Sequence, residues 1–123
     1  MPTVFSMTPF RNVHDANVKT RTGRLFVIDI YESSAGSYDS TVTVLDRISN
    51  PSGSWLYNTK PTSASANDNF KAAVELIQNY LGSIDPSDSI DEIHNPCNCP
   101  FVSEADQNAI VSGLGISPEV RVN

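Results

Sequence analysis

Between Ala66 and Leu81 the apolar residues take up a helical period. Ala66, Phe70, Ala73, Val74, Ile77 and Leu81 fall on one face of an α-helix, and Asn67, Lys71, Glu75, Gln78 and Asn79 occupy the rest. Such a stripe is stable only when buried against a second apolar surface, so it dictates a layered fold. Ser65 is suited to cap the first turn, and Asp68 places a carboxylate at the positive end of the helix dipole. Gly82 is expected to end the helix after Leu81, since glycine accepts the left-handed conformation of a C-terminal cap.

The partner surface must come from the preceding half of the chain, which reads as strands. Arg24–Tyr31 is rich in β-branched and aromatic residues, with Phe26, Ile28 and Ile30 on one face and Leu25, Val27 and Tyr31 on the other. Asp29 interrupts the second face. The preferred reading is a face partly open to water; the alternative is a buried carboxyl with a raised pKa. Thr41–Ile48 alternates as a half-exposed strand, with Val42, Val44 and Ile48 inward. Ser54–Thr59 is a third strand, bounded by Asn50-Pro-Ser-Gly53 and Pro61. Asn17–Thr20 can pair with the Arg24 strand through the turn Arg21-Thr-Gly23. Short turns between consecutive strands make an antiparallel meander the economical topology. For Trp55 and Tyr57 the core-facing reading is preferred over an aromatic patch on an open face.

Beyond Gly82 the periodicity is lost. Asp85–Ile93 is expected to contain at most one acidic helical turn, and its charges to form a solvated cap. Asn95-Pro-Cys-Asn-Cys-Pro100 cannot be helical, because each proline disfavours helical geometry in the residue before it. Ser103–Ser112 carries another Ser-x-x-Asp cap, with Ala105, Ala109 and Ile110 at helical spacing. Glu119–Val122 is suited to a short edge strand or a frayed end.

Composition excludes several function classes. No apolar run approaches the ~20 residues that span a bilayer. With 14 acidic against 8 basic residues and a net charge of −6, a surface that neutralises phosphates is unexpected, so nucleic acid is not an expected partner. The charge is also too dilute for a nucleic-acid mimic. Two prolines interrupt the first ten residues, arguing against a secretory signal, and two cysteines do not make a disulfide framework. The expected location is the cytoplasm, with a component of an assembled or exported particle as the alternative.

One cluster could carry chemistry. His94, Cys97 and Cys99 fall within His-Asn-Pro-Cys-Asn-Cys-Pro, offering three ligands to zinc, with Asp91, Glu92 or His14 as a fourth. The paired Cys-x2-Cys sets of structural zinc sites are missing, and the deaminase pattern fails because no His-x-Glu is present. A Cys97–Cys99 bridge would close a strained, easily reduced ring. The preferred reading is two free thiols packed as small hydrophobes, with no cofactor. The acidic run Asp85–Glu92 lacks the glycine and glutamate of a calcium loop. Phosphate-binding glycine loops, nucleophile elbows and zinc-protease motifs are absent. Pro2 could act as an N-terminal base, but no helix follows to build such a site, so an ordinary chain start is read there.

These observations predict one α+β domain over residues 1–123: an antiparallel β-meander of three to five strands, with the long amphipathic helix on one face and a second short helix. Residues 1–16 are expected to be a flexible start and 83–102 an irregular acidic, Pro- and Cys-containing loop. The expected function is a non-enzymatic protein–protein interaction or assembly module, associating with a protein partner or with itself and not with a membrane. The alternative is a small metal- or redox-linked protein using His94, Cys97 and Cys99.

Overall fold

The computed structural model describes residues 10–33, 36–45, 54–56, 65–98 and 100–122. They form β1 (Phe10–Thr20), β2 (Leu25–Ser33), β3 (Tyr38–Val44), β4 (Ser54–Leu56), α1 (Ala66–Ile84), β5 (Ile90–Asn95), α2 (Glu104–Gly113) and β6 (Glu119–Val122). The expected α+β arrangement of a sheet, a long helix and a short helix is present. The sheet order is β4-β3-β2-β1-β5-β6, so six strands replace the three to five expected. The first four make the antiparallel meander; β5 then joins β1 antiparallel, and β6 joins β5 in parallel.

The α1 stripe forms the core as its spacing requires. Phe70, Ala73, Val74 and Ile77 are fully buried against Phe26, Ile28 and Ile30 of β2 and Val42 and Val44 of β3. Ser65 accepts a hydrogen bond from the Asp68 N–H at 3.3 Å, the predicted cap. Gly82 does not end the helix. α1 continues to Ile84, and the Asp85 N–H closes the last turn on the Leu81 carbonyl at 2.7 Å.

Four further expectations are corrected. Within the supposed flexible start, residues 10–16 belong to β1, held along one edge by β2. Within the supposed irregular segment 83–102, residues 90–95 form β5, whose Ile90 and Ile93 are buried. A six-residue strand shows little periodicity, and only its neighbours β1 and β6 satisfy its backbone. On α2 the buried side chains are Gln107 and Val111, while Ala105 and Ala109 are exposed. Gln107 is buried because its amide pairs reciprocally with that of Asn95, each Nδ2 or Nε2 donating to the other's oxygen at 3.1 Å; Gln107 Nε2 also donates to the Val102 carbonyl.

The acidic run, expected to form a solvated cap, is not wholly solvated. The Asp88 side chain is fully buried and paired with Arg24, whose Nη1 donates to Asp88 Oδ2 at 2.9 Å and to Asp85 Oδ2 at 3.1 Å. Thr22 adds its Oγ1–H to Asp88 Oδ2 and its N–H to Asp88 Oδ1. Burial works against the Asp88 charge, yet the hydrogen bonds from Thr22, Thr20 and Arg24 outweigh it and hold the carboxyl well below the usual range. The group clamps the β1–β2 turn, where Gly23 takes a positive φ of 102°, to the segment leading into β5. The third expected strand is present as Ser54–Leu56; residues 57–59 lie outside the described residues.

Phe70→Ala is expected to lower unfolding free energy by about 3–5 kcal/mol, read by urea denaturation. Asp88→Asn leaves Arg24 without its buried partner and is expected to cost about 3 kcal/mol at neutral pH. Because the Asp88 pKa is depressed in the folded state, its stabilisation exists above the ordinary carboxylate range and is lost as pH falls. The wild-type advantage over Asp88→Asn should therefore shrink on acidification; a difference constant with pH would contradict the buried ion pair.

Candidate functional site

Both helices pack on one face of the sheet. The same core cluster joins α1 to β2 and β3 and holds Val111 of α2 with Val120 of β6. The second face carries neither helix, and its residues follow from strand alternation. Val27 of β2 lies between Asn17 and Thr43 in register, and Tyr31 between Asn12 and Asp39. Between those rows lie Asp15, Asp29 and Thr41, one from each of three adjacent strands. Leu25, Val27, Asp29, Tyr31, Thr41 and Thr43 are half-buried.

A register shift between Asn12 and His14 sets which side chains face which way. An extra residue in one strand reverses the alternation beyond it. Asn12 therefore accompanies Tyr31 on the helix-free face, while His14 turns into the core and Asp15 returns opposite Asp29. The two carboxyls are opposed in register, and a hydrogen bond between them requires a proton on one. Burial, that hydrogen bond and the Asp15 charge push the Asp29 carboxyl up to about 7, against a hydrogen bond with Asn12 that lowers it. The two sequence readings of Asp29 thus both apply: the face lacks a helix, and the carboxyl is nonetheless desolvated. Tyr31 is shifted upward too, first by burial and then by the neighbouring Asp29 charge.

Asp15 escaped the sequence reading, although a signal for it existed. The turn Arg21-Thr-Gly23 brings Thr20 and Arg24 together, the Thr20 N–H donating to the Arg24 carbonyl at 2.9 Å. Counting outward equally from that pair places Asp15 opposite Asp29. Hairpin geometry alone juxtaposes the two carboxylates.

The expected ligand residues occupy different surroundings. His94 lies in register with Asn17 and is half-buried. Cys97 is exposed, just past the end of β5, and lines a cavity of about 120 Å3 with Asn12, Val13, His14, Asp15 and Pro100. His94 is not in that lining. Cys99 lies outside the described residues. Among the described residues no three His, Cys, Asp or Glu side chains group as metal ligands.

His14, one of the possible fourth ligands, is 2% exposed and stacks edge-on against Phe70 at 5.8 Å between centroids. Burial lowers its pKa to about 4, partly offset by Asp15, so the ring is neutral at pH 7. The Val102 N–H donates to Nδ1 at 3.4 Å, which leaves the ring proton on Nε2, buried and without a partner among the described residues. With one nitrogen engaged by backbone and the other sealed in the core, His14 is unsuited to exchange protons with a substrate. A second concavity, about 240 Å3, lies between the end of α1 and Ile90 of β5, lined chiefly by Leu81, Gly82, Pro86 and Ile116. Both cavities fall below the roughly 300–1,000 Å3 usual for small-molecule sites.

No protein-family model matches the chain, and comparison with curated proteins and with solved structures gives no match.

The raised Asp29 pKa has a definite sign in stability. Its folded value lies above its unfolded one, so the native state binds the extra proton between about pH 4 and 7. The stabilisation this supplies is complete below about pH 4 and is lost as pH rises through about 7. Asp29→Asn removes that dependence. Its thermal midpoint, relative to wild type, is expected to rise as pH increases across this window; parallel curves would contradict the raised Asp29 pKa.

Proposed function

We propose that this chain is a non-enzymatic protein–protein interaction or assembly module. The observation that carries this reading is the one-sided placement of the helices: both cover the same face, and the other presents the half-buried β-branched and aromatic side chains of β2 and β3. Tyr31 and Val27 offer large contact area at low entropic cost, and Asn12, Asn17 and Thr43 offer hydrogen bonds around them. The partner is expected to be protein. The excess of acidic residues disfavours nucleic acid, and among the described residues no helix is long and apolar enough to cross a membrane. Two cysteines without a disulfide framework suit a reducing cytoplasm, or a particle assembled in one.

The second reading is a metal- or redox-linked protein using His94, Cys97 and Cys99. It draws support from the exposure of Cys97 and its place beside Asp15 in one cavity. Elemental analysis with thiol titration decides it: no bound metal and two freely titrating thiols eliminate this reading.

Val27→Arg tests the interaction face, since it sets a charge at the centre of that face and leaves the buried alternation intact. Affinity capture with wild type and variant as paired baits is expected to recover a protein on wild type that the variant loses, while the variant keeps its circular dichroism. Equal recovery of every protein on both baits would sink the reading, as would a turnover that Asp29→Asn abolishes.

A further inference from the structure

β6 ends the sheet among the described residues: its one partner is β5, paired in parallel. A strand in that position directs alternate backbone N–H and C=O groups away from its neighbour, a template for another strand. Natural edge strands are commonly blunted by brevity, by charged side chains, by proline, by a bulge or by an inward-pointing charge. Glu119-Val-Arg-Val122 is short and carries two charges, but it contains no proline, bulge or inward-pointing charge. Val120 faces the core, Val122 is half-buried, and the two charges point outward.

Glu119 lies in register with Glu92, so two carboxylates neighbour each other on the same face. Glu92 has cations on two sides, Lys19 in register on β1 and Arg121 of β6, whereas Glu119 forms no ion pair among the described residues.

We infer that β6 pairs antiparallel with β6 of a second copy of this chain, about a two-fold axis at Val120, joining two six-stranded sheets edge to edge. Charge selects this register. Directly opposed residues in an antiparallel pair share a face, so the axis must pass through a residue. An axis at Arg121 would oppose two arginines, and one at Glu119 two glutamates. An axis at Val120 sets Glu119 of each copy opposite Arg121 of the other, twice, and packs the two Val120 side chains together on the core side. Each Arg121 then bridges its own Glu92 and the other copy's Glu119. Four residues per strand make a small interface, below the size of a permanent dimer, so the association is weak and concentration-dependent.

This deepens the interaction-module reading by naming one partner, and its test is separate. Sedimentation velocity of the full chain at rising concentration, in physiological salt, is expected to show a monomer–dimer equilibrium for wild type. Glu119→Arg opposes like charges at both ends of the pairing and is expected to abolish the dimer. The double variant Glu119→Arg/Arg121→Glu restores opposite charges, both across the axis and towards Glu92, and is expected to recover it. Hydrogen exchange at the β6 amides should slow with concentration in wild type and in the double variant only. A dimer that survives Glu119→Arg overturns the edge pairing while leaving the interaction reading standing. A chain monomeric at every concentration overturns it as well, and the interaction reading is then decided by the Val27→Arg capture.

Discussion

Burial of one apolar stripe organises this molecule. Phe70, Ala73, Val74 and Ile77 cannot remain in water on a free helix, and they are buried against the face of the sheet bearing Phe26, Ile28, Ile30, Val42 and Val44. Fully burying one such side chain is worth roughly 1.5–3 kcal/mol, so several acting together fix which face of each strand is interior. Alternation then propagates that choice to every other residue of β1–β3. What lies on the remaining face is a consequence of this packing.

The helix-free face differs from an ordinary solvated one. It carries Asp15 and Asp29 side by side, a pairing that hairpin geometry imposes and that, together with burial, pushes the Asp29 carboxyl up. The register shift after Asn12 separates this pair from His14, which would otherwise share the face with Asn12 and instead stacks on Phe70. A single inserted residue thereby divides β1 into a buried imidazole on one side and a carboxyl pair on the other. A face of this kind offers hydrogen bonds and apolar area.

The outer half of the sheet depends on a different interaction. After α1 the chain enters β5 beside β1, and the buried Arg24–Asp88 pair with Thr22 anchors it as it does so. The removal of two charges from water is costly, and multiple hydrogen bonds offset that cost here. Such a pair acts as a positional lock: with Asp88 held at the β1–β2 turn, Ile90 and Ile93 fall into line beside β1. The Asn95–Gln107 amide pair does the same for α2, and the chain then leaves β6 at the sheet edge.

Local spacing and cap chemistry alone determined the long helix, its Ser65 cap, the second helix start at Ser103, the β1–β2 turn and the inward set Phe26, Ile28, Ile30, Val42 and Val44, because those signals reside in neighbouring residues. The register that opposes Asp15 to Asp29 was also legible, by counting outward from the Thr20 and Arg24 pair. Tertiary structure alone decided the rest. β5 has too few residues to show a period and owes its existence to β1 and β6. Asp88 looks like a solvated charge until Arg24, 64 residues away, is brought against it. Gln107 is interior because Asn95 satisfies its amide. In each case the deciding partner is remote in the chain, and long-range hydrogen bonding, unlike helical period, leaves no trace in local sequence.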